Sequence, residues 1–482
     1  MRQSSLPFSL LWHFAKTRWL MRFKTRAALE RWQQKKLRYY FKHVLPHAEK
    51  FSSTHVKTLA DLPLMDKQVL LDEFAERNCF GISLDKASRL AMDAENTRDF
   101  SETLKGVTVG LSSGTSGTRG VFLVSDRERN QWAGILLAKT LPTFLLKNIL
   151  KFWSRPVSIA FFLRANSNLY DTLSSRRIDF QFYDLVKPKD FVARLNSQLP
   201  DVLVAPATVL ATLAADKKAG RLTISPKHII SVAEVLDDAV RDKIKAAFKV
   251  PMHQIYQATE GFLGYTCKHG NLHLNESHIV FEKNWIDEQR FEPIITDFTR
   301  STQLITRYRL NDILVAAKEP CPCGNAEMHL ERIEGRADEI LWLEKNTVSQ
   351  ANAEIAIENN ATNNQAWQPI YPDVLRQAFV VLGDVLAEYR VFQYGDIWQV
   401  AYRPINSGPA ATARIRQAVK QLCDTYNAKI PLIEYVNWQP PKPGEKLKRW
   451  RCVEKPAGAN IAADLTLNEG APLTNKEPTC AS

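Results

Sequence analysis

The sequence predicts an α/β protein with a large amino-terminal domain of parallel and mixed sheets and a small α+β carboxy-terminal domain. Its 482 residues leave room for two or three domains. Between residues 157 and 261, short β-rich runs alternate with helical patterns of roughly 10 to 15 residues, which is typical of parallel βαβ units. After about residue 340 the pattern becomes helix, two strands, helix and strand, which favours a small α+β sandwich.

The composition is that of a soluble globular protein, with 45% apolar and 24% charged residues. The seven cysteines are scattered and lack the density of a disulfide scaffold, so we expect a reducing compartment, the cytoplasm. No run reaches roughly 18 apolar residues, so no bilayer-spanning segment is predicted. The run LPFSLLWHFA is short and leads directly into charged residues, so a signal peptide is not predicted either.

Residues 1–45 are predicted to form a basic amphipathic segment that packs on the body. The net charge is +12, and much of the excess lies in residues 16–44, where Trp, Leu and Phe alternate with Lys and Arg in a broadly helical rhythm. Peripheral contact with a membrane is the alternative interpretation of this segment. Nucleic-acid binding is not predicted, because no recognition module accompanies the charge.

The large domain is predicted over residues 46–336, and the small mobile domain over residues 337–454. Near the start of the large domain, Asp66 is a candidate N-cap for a helix that carries Val69, Leu70 and Phe74. Residues 455–482 are rich in Ala, Asn, Thr and Pro and poor in apolar side chains, so we expect a disordered tail.

A loop rich in Ser, Thr and Gly lies between two apolar runs in VGLSSGTSGTRGVFLVS, residues 109–125. Glycines let backbone N–H groups approach a ligand closely, and hydroxyls add donors that suit phosphate oxygens. A phosphate loop and an ordinary surface turn between two strands are both compatible with this composition. The Walker A pattern does not fit, because no Lys followed by Ser or Thr closes the loop and VFLV predicts a strand.

Four further polar clusters follow along the chain. The first, IYQATEG, ends a predicted strand with an aromatic ring for stacking, a hydroxyl for phosphate and a carboxylate for Mg²⁺. The second, LITRYRLNDIL, contains Asp312, whose carboxylate suits a ribose diol. The third, RIEGRADEIL, contains Arg336 and Asp338, and the fourth is KPGEKLKRWR. Each cluster alone is weak evidence, but their order is specific.

The five clusters, in this order over about 340 residues, resemble the motifs of the adenylate-forming superfamily of acyl-CoA synthetases, luciferases and peptide-synthetase adenylation domains. CPCGNAEMHLERIEGRADEIL and GNLHLNESHIVFE look most like the branch of phenylacetate-CoA ligase and coenzyme F390 synthetase. The resemblance covers roughly residues 30 to 450 and does not indicate the substrate. It implies ATP-dependent formation of acyl-AMP with release of pyrophosphate, followed by transfer of the acyl group to a thiol.

The resemblance also implies roles for particular residues. The phosphate loop would comprise Ser113, Gly114, Thr115, Ser116, Gly117, Thr118 and Arg119. Tyr256 would line the adenine pocket, Thr259 would contact phosphate, Glu260 would bind Mg²⁺, Asp312 would hold the ribose and Arg336 would assist. Asp338 matches the hinge of the small domain, and Lys446 matches the lysine that this domain brings to the reacting carboxylate.

Three positions depart from the pattern of the superfamily. Arg119 stands near the position where many members carry Lys, which preserves the charge. Gln257 and Asn311 stand where glycine is expected. Because a side chain at these two positions narrows the pocket or requires a local change of backbone, they leave room for an altered nucleotide site.

A structural zinc site is predicted from Cys267, His273, Cys321 and Cys323, with His269 as the competing imidazole. Thiolates and an imidazole in a set of four are typical of closed structural zinc sites. A free buried pair of thiols is the alternative, because C-x-C alone is a weak signal. The phenylacetate-CoA ligase branch carries a similar arrangement of Cys and His.

The predicted function is therefore that of an acid–thiol ligase, with CoA or the phosphopantetheine of a carrier protein as the acceptor. Nucleotidyl transfer of the F390 synthetase type and amide formation are alternative reactions, and a degenerate protein that binds nucleotide or a partner is the non-enzyme alternative. Phe161, Phe162, Tyr170 and Phe180 lie near the expected acyl pocket and favour an aryl or other apolar acid, although they serve equally well as core. A homodimer is compatible with the sequence.

Overall fold

The computed structural model describes residues 7–112, 119–151, 153–163, 175–185, 190–346, 366–405, 410–440 and 447–459. The chain divides into two compact units. Unit 1 comprises Met1–Glu282, Ile294–Leu310 and Ala316–Arg332, and unit 2 comprises Lys283–Pro293, Asn311–Val315 and Ile333–Ser482. The predicted domain bounds remain predictions, and residues 460–482 of the predicted tail lie outside the described residues.

The helices of unit 1 are α1 Phe8–Ala15, α2 Arg26–His43, α3 Lys67–Asp72, α4 Leu84–Thr97, α5 Asp126–Thr140, α6 Thr143–Leu150, α7 Phe191–Gln198, α8 Ala207–Lys218 and α9 Asp238–Phe248. A π-helical turn, Lys16–Leu20, follows α1. Helix α3 begins as predicted, because the Asp66 side chain accepts a hydrogen bond from the Val69 N–H.

The strands up to Arg336 are β1 Val107–Leu111, β2 Val121–Ser125, β3 Val157–Leu163, β4 Ile178–Asp184, β5 Val202–Ala205, β6 His228–Ser231, β7 Met252–Ala258, β8 Gly261–Thr266, β9 Leu272–Leu274, β10 Val280–Trp285, β11 Arg290–Thr296, β12 Tyr308–Arg309, β13 Asp312–Ala316 and β14 His329–Arg336. Strands β1 and β2 form a separate antiparallel hairpin.

Eight neighbouring strands of the central sheet follow the order β14-β9-β8-β7-β6-β5-β3-β4. Strands β4, β3, β5, β6 and β7 run parallel, and β7, β8 and β9 continue as antiparallel neighbours. All seven residues of β3 are buried. Its Phe161 and Phe162 belong to cores on opposite faces, the pattern expected of a parallel sheet that is covered on both sides.

Unit 2 contains β15 Leu341–Glu344, β16 Trp367–Ile370, α10 Pro372–Val380, β17 Leu386–Tyr394, β18 Ile397–Pro404, α11 Ala410–Thr425, β19 Leu432–Val436 and β20 Trp450–Glu454. Its four-stranded sheet has the order β19-β18-β17-β20, and β15 pairs with β16. The buried Trp398 of β18 and Ile415 of α11 belong to one core. The predicted α/β class with a smaller α+β part is confirmed.

In the ranges that the structure describes, no helix combines the length and apolar character needed to cross a bilayer.

Candidate functional site

The predicted phosphate loop begins and ends on the β1–β2 hairpin. Beyond the last strand pair, the Ser112 N–H donates to the Gly120 carbonyl, and the Gly120 N–H donates to Ser112 Oγ, both at 2.7 Å. Arg119 pairs with Glu95 at 2.6 Å and donates from Nε to the Ser112 carbonyl at 3.2 Å. The loop residues Ser113, Gly114, Thr115, Ser116, Gly117 and Thr118 lie outside the described residues.

Thr259 and Glu260 form the turn between β7 and β8, at the carboxyl end of β7. Thr259 Oγ1 donates to Glu260 Oε2 at 2.9 Å. Among the described residues, the second carboxylate oxygen of Glu260 has no hydrogen-bond partner. Ligands bind at the carboxyl ends of parallel strands in open α/β sheets, so this turn stands at the edge where a site is expected.

Arg300 supports this turn from inside unit 1. Its side chain is almost fully buried, donates from Nη2 to the Thr259 carbonyl at 3.2 Å and lies over the Trp132 ring at 4.8 Å. A Cβ at Gly261 would lie 3.1 Å from the carboxylate of the buried Asp297, so residue 261 has little room for a side chain. Burial raises the pKa of Asp297 to about 6, against the opposing charge of Arg300.

Glu128 of α5 holds the segment that follows Arg300. Its Oε1 accepts hydrogen bonds from the N–H groups of Ser301 at 2.6 Å and Thr302 at 2.8 Å. Arg300, Asp297 and Glu128 were not among the residues predicted from the sequence. The signal that could have identified Asp297 and Arg300 is the polar run DFTRST, which follows β11 in the way that TEG follows β7.

Tyr256 lies on β7 with its side chain largely buried. It pairs with Gly264 of β8, and the register shifts between Tyr256 and Gln257. Neither Gln257 nor Asn311 has a positive φ, so the backbone at these two positions does not require glycine. The departures from the superfamily pattern are therefore compatible with an ordinary backbone.

In unit 2, Asp338 is held by three side chains. Lys448 Nζ lies 2.9 Å from Asp338 Oδ2, Asn311 Nδ2 donates to Oδ1 at 2.7 Å, and Arg336 Nε lies 3.3 Å from Oδ1. Burial alone would raise the pKa of Asp338, but the charges of Lys448 and Arg336 outweigh it and lower this pKa. Asn311, at an expected glycine position, therefore contributes to positioning the predicted hinge residue.

Two other predicted residues fall in chain segments of unit 2. Asp312 begins β13 in unit 2. Lys446 lies outside the described residues, two positions before Lys448. The structure thus brings Arg336 and Asp338 together within unit 2, and Thr259 and Glu260 together within unit 1.

The four predicted zinc ligands come together in unit 1. One possible donor atom from each of Cys267, His273, Cys321 and Cys323 lies within 4.8 Å of the others. The Cys267 and Cys321 sulfurs are 3.7 Å apart, and His273 Nε2 is 3.5 Å from Cys323 Sγ. Ligands around a tetrahedral zinc ion lie about 3.8 Å apart when Zn–S is about 2.3 Å, so the donor set fits this metal. The competing His269 is exposed and is not in the cluster.

The orientation of His273 suits a metal ligand. Its Nδ1 lies 2.9 Å from the Glu327 carbonyl oxygen, which only accepts hydrogen bonds, so Nδ1 carries the proton. The unprotonated Nε2 then faces the thiols. Second-layer contacts of this kind commonly fix the tautomer of a metal-binding histidine.

The Glu327 side chain forms a buried polar cluster next to these ligands. Lys139 Nζ lies 2.9 and 3.0 Å from its two oxygens, and Tyr265, Ser277 and Asn325 donate to it. Burial alone would raise the pKa of Glu327, but Lys139 and these donors lower it to about 2. The carboxylate is therefore ionised at neutral pH.

Three of the four aromatic residues near the expected acyl pocket, Phe161, Phe162 and Phe180, are part of the core. Phe161, Phe180 and the buried His228 line a cavity of about 40 Å³. Phe162 stacks on Tyr183 on the other face of the sheet, with centroids 4.3 Å apart. Tyr170 lies outside the described residues. The preference for an apolar acid remains a prediction.

Comparison with known proteins supports the resemblance at the level of the fold. No protein-family model matches the chain. Protein CapK of Staphylococcus aureus is 31% identical over 189 residues, which is 37% of this chain and 42% of CapK. The match thus spans less than half the length of this curated relative.

Among solved structures, 2-hydroxyisobutyryl-CoA ligase in the postadenylation state with R3-HIB-AMP has a TM-score of 0.55 at 14% identity, covering 89% of each chain. An open conformation of that ligase with 2-HIB-AMP and CoA has a TM-score of 0.52 at 14% identity, covering 89% of this chain and 91% of the ligase. The chain therefore shares the fold of 2-hydroxyisobutyryl-CoA ligase.

Proposed function

We propose that this chain is an adenylate-forming ligase, which activates a carboxylic acid with ATP and passes the acyl group to a thiol. The observation that carries the proposal is the Thr259–Glu260 turn at the carboxyl end of β7, with one Glu260 oxygen not engaged by any described residue. The shared fold supports it, because the similar ligase was solved with an acyl adenylate and CoA.

In the first half-reaction, a carboxylate oxygen of the acid attacks the α-phosphorus of ATP, and the bond to the β-phosphate bridging oxygen breaks. Pyrophosphate leaves, and acyl-AMP remains. The loop of residues 113–118 and Arg119 would hold the β- and γ-phosphates, and the Thr259 hydroxyl would contact phosphate. Negative charge develops around the phosphorus, so donors positioned there lower the barrier.

Glu260 would hold Mg²⁺ through its available oxygen, since this ion prefers carboxylate ligands. The ion, when bound, neutralises charge on the phosphates. Arg300 contributes as a positioning residue, because its hydrogen bond to the Thr259 carbonyl fixes the turn that carries both side chains. Tyr256 would line the adenine pocket, and Asp312 and Arg336 would contact the ribose region.

In the second half-reaction, a thiolate attacks the acyl carbon and AMP leaves with the bonding electrons. CoA or the phosphopantetheine of a carrier protein would supply the thiol. An aryl or other apolar acid would be the substrate, in line with the resemblance to phenylacetate-CoA ligase. The Cys267, His273, Cys321 and Cys323 set would hold a structural zinc ion, because four protein ligands leave no open catalytic position. A cytoplasmic location remains a prediction.

The direct test is acid-dependent exchange of labelled pyrophosphate into ATP, screened over aryl, fatty and amino acids with Mg²⁺ present. Glu260→Gln should lower the exchange rate by about a hundredfold or more, because it removes the charge of a metal ligand. Glu102→Gln, at an exposed glutamate, is the matched control and should exchange normally. Exchange no higher than a blank across the screen would overturn the proposal.

The two half-reactions separate the roles of Lys446 and Asp338. Lys446→Ala should lower adenylation by about 10²–10³-fold but leave thioester formation from supplied acyl-AMP largely intact. Asp338→Pro should retain adenylation and impair transfer, because proline fixes φ at the proposed hinge. Equal loss of both activities in both folded variants would contradict alternation of the small domain.

A further inference from the structure

Unit 1 presents a group of exposed apolar side chains at its amino-terminal end. They lie on α1 and on the π-helical turn after it. We define the aromatic–basic surface as these side chains together with the cations around them; its apolar members are Phe8, Leu11, Trp12, Trp19 and Leu20. Phe8 is 82% exposed and Leu20 is 73% exposed, so their side chains remain in contact with solvent. Large exposed apolar groups that lie together mark an interaction site.

The position of α1 is fixed by its opposite face. Leu10 and Phe14 are buried in a core of unit 1. A Cβ at Gly134 of α5 would lie only 2.5 Å from the Leu10 carbonyl oxygen, so the two helix backbones approach closely. The exposed face of α1 is therefore held outward by a packed interface on its other side.

The π-helical turn is anchored in the same way. Arg18 donates from Nη1 to the Ala138 carbonyl and from Nη2 to Thr143 Oγ1, both at 2.9 Å. Trp19 packs edge to face on Phe14, with ring centroids 5.7 Å apart. Phe144, next to Thr143 at the start of α6, is also exposed. These contacts hold the exposed apolar side chains in fixed positions on unit 1.

The charge around this surface is strongly positive. Residues 1–45 contain eleven Lys and Arg and one Glu, which accounts for most of the net charge of +12. Lys16 and Lys36 lie 5.5 and 4.6 Å from the centroid of the Trp32 ring. Burial, followed by the charges of Lys16, Arg127 and Lys36, lowers the pKa of His13, so these three cations lie near this residue of α1.

Among the described residues, none of Lys16, Lys36 or Arg127 forms an ion pair with a carboxylate. Like charges that lie close together without counterions disfavour one another, so an anionic partner stabilises the arrangement. The missing counterions are therefore expected on the ligand.

We propose that the aromatic–basic surface docks unit 1 on an anionic lipid bilayer. The cations would contact lipid phosphates, and Phe8, Leu11, Trp12, Trp19 and Leu20 would enter the interface between headgroups and acyl chains. Tryptophan and basic side chains with long apolar stems favour that interface. A nucleic acid would satisfy the cations but would leave the exposed leucines without an apolar environment. The proposal is independent of the proposed reaction.

The test is co-sedimentation of the full chain with phosphatidylcholine vesicles that contain or lack phosphatidylglycerol. We expect binding to the anionic vesicles, weakened by added salt, because each lysine near an anionic surface contributes about fivefold to the partition coefficient. The double variant Phe8→Ser/Trp12→Ser should bind at least about tenfold more weakly. Its control is Val380→Ser/Val381→Ser, two exposed residues of unit 2, which should bind as the unchanged protein does.

Charge is tested separately. Lys36→Glu/Arg127→Glu should abolish the preference for anionic vesicles, whereas Lys243→Glu/Lys245→Glu, at exposed positions of α9, should retain most of that preference. Thermal unfolding of each variant establishes that it is folded. No binding to anionic vesicles, binding unchanged by Phe8→Ser/Trp12→Ser, or tighter binding to a DNA duplex than to the vesicles would each overturn the proposal.

Discussion

Two lysine–carboxylate pairs, one in each unit, differ in how far solvent reaches them. In unit 1, the Glu327 side chain is 1% exposed and that of Lys139 is 8% exposed. In unit 2, the corresponding values are 24% for Asp338 and 12% for Lys448. The first pair is surrounded by protein donors, whereas the second carboxylate remains partly in water.

The same kind of ion pair therefore serves two purposes in this protein. A buried ion pair resists separation, because either partner left alone is a buried charge without compensation. A partly exposed pair separates at low cost, because water replaces the lost partner. The Glu327 pair therefore suits a rigid support beside the proposed zinc ligands, and the Asp338 pair suits a residue at a proposed hinge.

The largest effect is expected from Lys139→Ala. This change leaves ionised Glu327 buried without its cation and should lower the free energy of unfolding by about 3 to 5 kcal/mol. Lys147→Ala, at an exposed lysine of α6, is the control and should change it by about 0.5 kcal/mol or less. Urea unfolding measures both. If Lys139→Ala lowered the free energy of unfolding by less than about 1 kcal/mol, the buried pair would be no stronger than a partly exposed one, and the proposed difference between the two pairs would be wrong.

Next in size is Cys321→Ser, which removes one of four proposed metal ligands. Zinc content should fall from one ion per chain, and the free energy of unfolding should fall by about 2 kcal/mol, because metal binding contributes to folding. The control is Cys452→Ser in β20, which should retain the metal. Metal analysis of protein purified without chelators gives the answer, and absence of zinc from the unchanged protein would refute the site.

A smaller effect is expected from Lys448→Ala. Asp338 keeps Asn311 and Arg336 as partners and has access to water, so the free energy of unfolding should fall by about 1 kcal/mol or less. The ratio of this loss of unfolding free energy to the loss for Lys139→Ala measures how strongly burial distinguishes the two ion pairs. Losses of equal size would show that burial does not distinguish the pairs.

The smallest effect is a pH dependence. The pKa of Asp338 is lowered in the folded chain, so its stabilising contribution is present above the ordinary Asp pKa of about 3.9 and is lost as the pH falls through the lowered value. The difference in unfolding free energy between the unchanged protein and Asp338→Asn should be constant from about pH 5 to 8 and shrink below about pH 4.

Asp297 provides the opposite case. Its pKa is raised to about 6, so its favourable contribution is present below about pH 4 and is lost as the pH rises through 6. The difference in unfolding free energy between the unchanged protein and Asp297→Asn should therefore shift between about pH 4 and 6, as the contribution of Asp297 is lost. If the unfolding free-energy differences for Asp338→Asn and Asp297→Asn varied in the same pH range, the opposite pKa shifts of these two residues would be contradicted.

Local patterns in the sequence were sufficient for much of the fold. Asp66 was predicted as an N-cap from its position before an apolar helical pattern, and the structure shows that hydrogen bond. The parallel strands were predicted from apolar runs that alternate with helices. The meeting of Cys267, His273, Cys321 and Cys323 was predicted from donor chemistry and resemblance, and the structure brings the four side chains together.

Contacts between distant positions were not predictable from these patterns. Lys139 and Glu327 are separated by 188 residues, and nothing in the residues around Glu327 indicates a contact with Lys139. Arg300 donates a hydrogen bond to the backbone carbonyl of Thr259, 41 residues away. Every residue has such a carbonyl, so the amino-acid type at position 259 does not indicate this contact. Ala233, after β6, has a φ of 66°, a strained value for a residue with a Cβ, and alanine gives no sequence signal of it.

Because unit 2 is built from three chain segments, truncation or proteolysis at a single position cannot isolate it as a complete domain. A fragment that starts at Ile333 would lack Arg290, whose Nε lies 2.8 Å from the fully buried carboxylate of Glu334, and Asn311, which holds Asp338. Proteolysis just before residue 333 would therefore release a piece in which the buried Glu334 has lost the cation of Arg290, rather than a finished domain. On the ribosome, likewise, the first segment of this unit emerges well before the last, so its completion must await chain that is synthesised later.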